Sequence, residues 1–223
     1  DGAQILLAGN DDTKGLVFDS GLPPANRHAR DIAVNALVES DVYSLEYSDF
    51  RLTLPSGAAS NLVVRMTPAG DSGNWTLVGR RGDFPTVVDY DWRGVLKSDG
   101  TMEMLIPAPG SGVLYLSVFY SYWAKAYQGH FTLECLSMDR YLADISHHTG
   151  GNAGSTTVSL SGLGFESGMR VELRSGTGAV LRTFTPSSFG ASSLRVTLDL
   201  TGLPPQWVNV AVVWPDNEAL ILP

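Results

Sequence analysis

Short apolar runs, each closed by a turn, constrain this chain more than anything else in it. The clearest are FRLTLP (50–55), NLVVRMT (61–67), WTLVGR (75–80), TMEMLIP (101–107), GVLYLSVFY (112–120) and GHFTLECL (129–136). All are rich in Val, Leu, Thr and aromatics, which suit a pleated, half-buried surface. Between them, 24 glycines and 12 prolines, with Ser and Thr, keep breaking the chain before a helix could run. An all-β fold, sandwich or barrel, is expected.

Alternation gives the faces. In FRLTL, Phe50, Leu52 and Leu54 share one side and Arg51 and Thr53 the other; in NLVVRMT, Leu62, Val64 and Met66 point one way. The single helical candidate is RHARDIAVNALV (27–38), which follows Pro23-Pro24 and spaces Ile32, Ala33, Ala36 and Leu37 suitably. An irregular crossover is the other reading of that segment.

A composition change at LSMDRYLAD (136–144) places a domain boundary near residue 138. Beyond it come TTVSLSG, MRVELRS, VLRTFTP, LRVTLDL, VNVAVVWP and ALILP. That many short strands in so short a stretch match an immunoglobulin-like sandwich. The expected domains are residues 1–138 and 139–223, with 1–8 readable as the last strand of a preceding repeat. That reading comes from the likeness of DGAQILL (1–7) to DNEALIL (216–222). In each, an Asp-Gly or Asp-Asn turn pair precedes an apolar strand. Ile5, Leu6 and Leu7, with Leu220, Ile221 and Leu222, are therefore the candidate assembly strands of a tandem array.

Composition narrows the partners. Hydrophobic residues make up 43% and charged residues 17%, which suits a buried core rather than disorder. The net charge of −8, without a basic stripe in either part, argues against nucleic acid and anionic membranes. No apolar run approaches the roughly 18 residues of a membrane span. The chain starts without a Met or a signal peptide, so a piece of a longer or processed precursor is expected. The one cysteine, Cys135, rules out a disulfide within the chain and reads as a buried thiol rather than a reactive one.

Several clusters could carry function. Arg81-Gly82-Asp83 spells an adhesion tripeptide, but Gly82 and Pro85 also suit a turn at a strand end. Asp83, Asp89 and Asp91, with Asp99 nearby, read either as loop caps or as a calcium site; the spacing is not that of a dedicated calcium loop. Tyr120, Tyr122, Trp123 and Tyr127 lie in one hairpin beside Lys125, with Trp92 as a further aromatic. They could stack a sugar or a collagen-like peptide, or cap the core. His147 and His148 are adjacent, so on a strand they point to opposite faces, which suits metal chelation poorly. No nucleophile elbow, phosphate-binding loop or dinucleotide fingerprint is present, so no catalysis is expected.

Residues 50–135 carry four motifs in order: FRLTLPSGAASNLVVRM, WTLVGRRGDFPTVVDYD, PAPGSGVLYLSVFY and GHFTLEC. With them, about residues 40–137 resemble the bacterial pre-peptidase C-terminal (PPC) domain family. The resemblance implies a small jelly-roll-like β-sandwich attached to secreted proteins, notably proteases. It also implies a non-catalytic accessory or binding role, collagen or calcium being bound by some members. Residues 1–40 depart from the family pattern. Residues 141–223 resemble the IPT/TIG immunoglobulin-like family through GSTTVSLSGLGFESGMRVELRS and SSLRVTLDLTGLPPQWVNVAVVWPDNEA. That resemblance implies a spacer or interaction module.

The combined expectation is an all-β chain of two consecutive β-sandwich domains, jelly-roll-like then immunoglobulin-like. It would be a non-catalytic extracellular structural or interaction module of a bacterial-type surface, filament or adhesin-like protein. Its partners would be neighbouring domains or copies of itself. No nucleic acid, membrane insertion or cofactor is expected, calcium apart. The alternative is a carbohydrate- or collagen-binding accessory module of a secreted hydrolase.

Overall fold

The computed structural model describes residues 27–57, 61–70, 74–121 and 128–222, and within them the fold is all β. Two compact units form. The second comprises Ser137–Pro223 with the short pieces Ala59–Leu62 and Leu105–Pro109; the other described residues make the first.

The first ten strands are β1 (Ala29–Ile32), β2 (Leu37–Tyr43), β3 (Glu46–Leu54), β4 (Asn61–Pro68), β5 (Asn74–Arg81), β6 (Trp92–Arg93), β7 (Val95–Leu96), β8 (Met102–Ile106), β9 (Gly112–Ser121) and β10 (Gln128–Met138). They form two five-stranded sheets, β1-β3-β9-β5-β6 and β2-β10-β4-β8-β7. β2 and β3 follow each other in sequence but lie in opposite sheets, as do β4 and β5, and β9 and β10. This is the jelly-roll arrangement, a sandwich with its core between two inner faces. The alternation read in FRLTL holds: Phe50, Leu52 and Leu54 are buried, Arg51 and Thr53 exposed. Cys135 is buried among them, which pushes its thiol up to about 12 and leaves it inert at ordinary pH.

The helix considered for 27–38 does not form. Ala29–Ile32 instead pairs in parallel with Asp49–Leu52 of β3, and Arg51 holds Asp31 at 2.6 and 2.8 Å. Asn35 then turns the chain at φ 61° and passes it into β2, which pairs with β10. A left-handed residue cannot sit inside a helix. Of the residues whose spacing suggests a helix, Ile32 ends β1 and Leu37 begins β2, in different sheets, and Ala33 and Ala36 lie in the connection between them.

The second unit contains β11 (Tyr141–Ile145), β12 (Ser155–Leu163), β13 (Arg170–Arg174), β14 (Val180–Phe184), β15 (Ser188–Phe189), β16 (Ser193–Asp199), β17 (Asn209–Val213) and β18 (Ala219–Leu222). Its four-stranded sheets, β11-β12-β16-β15 and β14-β13-β17-β18, have the strand order of an immunoglobulin sandwich. The core is Val158, Leu160, Val171, Leu173, Leu194, Val196, Leu198, Val212 and Trp214. The Trp214 indole is fully buried and donates to Gly164 O at 2.8 Å. Arg140 closes one end of this sandwich. It pairs with Asp216 at 2.7 Å and with Glu218, and its guanidinium lies 5.2 Å from the Trp214 ring. The Arg140 hydrogen bond holds the Asp216 carboxyl below its ordinary range.

Candidate functional site

The loop carrying Arg81-Gly82-Asp83 is held at almost every position. Gly82 adopts φ 74° and donates to Val113 O at 2.9 Å. The Arg81 amide donates to Asp91 Oδ2 at 2.8 Å, and the Arg81 side chain reaches Ser111 O at 2.8 Å. Asp83 turns back to accept from the Phe84 amide at 2.8 Å. Asp83 and Asp89 lie 3.9 and 2.6 Å from the same Arg80 nitrogen. The three aspartates named as possible calcium ligands are thus placed around Arg80 and the Arg81 amide. Among the described residues, no three His, Cys, Asp or Glu groups converge on one point.

Beneath this loop lies a side chain that sequence reasoning missed. The Arg27 guanidinium is 7% exposed and forms a two-pronged pair with the 4%-exposed Asp49. It also donates to Ser117 Oγ at 3.0 Å and to Pro85 O at 2.7 Å. Its flat faces meet the rings of Tyr47, 4.2 Å away, and Phe84, 5.0 Å away. Each prong of the cation has an acceptor, so its charge is compensated where water cannot reach. The contact to Pro85 O ties the RRGDFP turn to β3 and β9. The only trace in sequence is an arginine after Pro-Pro, too little to reveal a partner at Asp49.

The proposed aromatic platform divides. Tyr122, Trp123 and Tyr127 lie outside the described residues. Tyr120 is corrected: it is fully buried, its ring 4.4 Å from that of Trp75, which in turn packs 5.8 Å from Phe131. Gly129 leaves the room for this, because a Cβ there would come within 2.5 Å of the Trp75 ring. Tyr120 is therefore a core residue and offers no surface to a ligand. Trp92 is half-buried on β6 opposite Gly79, four residues along β5 from the Trp75 that faces Tyr120. At about 3.3 Å per residue these positions are roughly 13 Å apart, too far for one stacking surface.

Of the candidate assembly strands, Ile5, Leu6 and Leu7 lie outside the described residues. Leu220, Ile221 and Leu222 form β18, the end strand of its sheet, paired with Val210–Val212 of β17. Leu220 and Leu222 pack on the core, and Ile221 is 47% exposed.

The least anticipated feature is at one end of the second unit. The loop 146–154, between β11 and β12, and the loop 200–208, between β16 and β17, line an open cavity of about 610 Å³. A second cavity of about 250 Å³ shares its His148, Leu173, Leu200 and Trp207 walls. The feet of the loops are stapled together. Asn152 Nδ2 donates to Leu203 O at 3.1 Å, the Leu200 amide to Gly154 O at 3.0 Å, and Arg182 to the carbonyls of Asp199 and Thr201 at 3.0 and 2.6 Å. Trp207 stands on this frame with 89% of its surface exposed. His147 contacts Ser146 Oγ at 2.9 Å, and His148 lies 3.4 Å from the Asp144 carboxylate.

No family model and no curated protein matches the chain. Among solved structures it is similar to the pre-peptidase C-terminal domain of a collagenase from Bacillus anthracis. That likeness has 17% identity and a TM-score of 0.39, covering 49% of this chain and 98% of that one. It is also similar to the adhesin domain of Epf from Streptococcus pyogenes, at 11% identity and a TM-score of 0.31, covering 83% of this chain and 76% of the other.

Proposed function

We propose that this chain is a non-catalytic extracellular interaction module, a segment of a surface, filament or adhesin-like protein. Its copies join when the segment 1–7 of one adds, as a strand, to the sheet edge at β18 of another. The observation that carries this reading is the inward–outward pattern of β18. Leu220 and Leu222 face the core while Ile221 faces out, and DGAQILL sets Ile5, Leu6 and Leu7 in the same phase. A strand with that pattern fits the pleat of this sheet, of which β18 is the end strand. The turn chemistry agrees as well. Asn217 takes φ 68° before β18, and the matching position is Gly2, a residue that tolerates the same angle. The polar clusters of the first unit support a structural role, since Asp49, Asp83, Asp89 and Asp91 are each engaged within the fold.

The test is light scattering and electron microscopy of the full chain against a variant lacking residues 1–7. The full chain is expected to assemble with rising concentration. The truncated chain is expected to stay monomeric, and added DGAQILL peptide to block assembly of the full chain. Assembly that survives the truncation rejects strand exchange as the joint.

A further inference from the structure

We propose that the end of the second unit formed by loops 146–154 and 200–208 binds a neutral carbohydrate, with one sugar ring stacked on Trp207. This goes beyond the strand-exchange reading and does not depend on it. It draws on none of the aromatics at 120–127.

The first reason is the indole. Trp side chains bury roughly 150–250 Å² in a core or an interface, whereas Trp207 keeps 89% of its surface in water. The other described Trp of this unit, Trp214, is fully buried. An indole held out in water on this loop loses burial energy that a ligand can recover.

The second reason is the shape and chemistry beside it. A cavity of about 610 Å³ lies within the range of roughly 300–1,000 Å³ typical of small-ligand sites. Its floor is apolar, built from Leu173 and Leu200, and Leu173 belongs to the packed core. Around the floor stand His148, Thr149, Asn152 and Gln206. No Asp, Glu, Lys or Arg lines it. An anion such as a phosphate or a nucleic acid would find no cation here to offset its desolvation. An aromatic plane beside imidazole, hydroxyl and carboxamide groups suits a pyranose, which has apolar C–H faces and a rim of hydroxyls.

The third reason is preorganisation. The hydrogen bonds among Asn152, Leu203, Leu200, Gly154 and Arg182 fix the loop feet before any ligand arrives, which lowers the ordering cost of binding. They also weigh against a peptide. An extended peptide draws on a free main-chain ladder, and here the carbonyls of Asp199, Thr201 and Leu203 are already used.

The experiment titrates the full chain with neutral gluco-, xylo-, manno- and chito-hexaoses, by calorimetry and by tryptophan fluorescence. At least one is expected to bind with a Kd of about 1 mM or tighter. Trp207→Ala should weaken it tenfold or more, and Trp207→Phe should retain part of it, with both melting curves unchanged. The proposal falls if no member of the panel binds the full chain, or if Trp207→Ala binds as well as the parent. It also falls if sedimentation shows self-association that Trp207→Ala abolishes while no sugar binds; the cavity is then a contact between copies.

Discussion

In the first unit, the loop from Arg81 to Asp91 spends its polar groups inward. The amides of Arg81, Gly82, Phe84, Thr86, Val87, Asp89 and Asp91 all donate to acceptors within the fold, and Arg27 pins Pro85 from below. In the second unit, loops 146–154 and 200–208 are tied to each other through Asn152, Gly154, Leu200 and Leu203, and carry Trp207 out into solvent. The first region spells a recognition signal and is built as a structural knot. The second spells no known recognition signal, and it holds the open cavity. A motif states which residue types are present, whereas recognition needs groups left unspent by the fold.

Breaking the knot should have the largest effect. Arg27→Ala leaves the Asp49 carboxylate buried without its cation, and removing one member of a buried pair costs about 3–5 kcal/mol. The melting temperature of the first unit should drop by at least about 10 °C, as read by calorimetry. If the drop is only a degree or two, Arg27 is not the pin of this loop. Next comes Gly82→Ala. At φ 74° an L-residue costs roughly 1–2 kcal/mol, even though no neighbouring atom lies within 4 Å of the new Cβ. Urea unfolding should show a loss of that size; an unchanged midpoint would mean that the turn relaxes. Asp83→Ala removes a half-exposed partner 3.9 Å from Arg80, so stability should change by no more than about 0.5 kcal/mol. Asp83→Glu should leave cell attachment unaltered; a loss of attachment would restore the tripeptide as a receptor signal. The smallest effect belongs to the other region. Trp207→Ala should alter stability by less than about 0.5 kcal/mol, and a larger loss would mean that the indole packs rather than waits.

The strands were legible where alternation is sustained, as in FRLTL, whose three apolar residues are all buried. YLADI was not, because β11 exposes most of its residues partially and so shows no clean period. RHARDIAVNALV misleads because apolar residues at helical spacing can also be divided between two strands and their connection: Ile32 ends β1, Leu37 begins β2, and Ala33 and Ala36 lie between. Tyr120 misleads differently. A cluster of aromatics in one short stretch of sequence says nothing about which of them turn inward, and Trp75, whose ring packs on Tyr120, is distant in sequence. The cavity beside Trp207 was illegible for the same reason, since its walls come from segments 50 residues apart that only the sandwich brings together.

Hydrogen exchange on the full chain, with and without the oligosaccharide panel, sets the two regions side by side. Without ligand, the amides of 81–91 should exchange slowly and those at the tips of 147–151 and 206–207 fast. With a binding sugar, slowing should appear only at those tips. Fast exchange throughout 81–91, or slowing there on adding ligand, would reverse the assignment of knot and site.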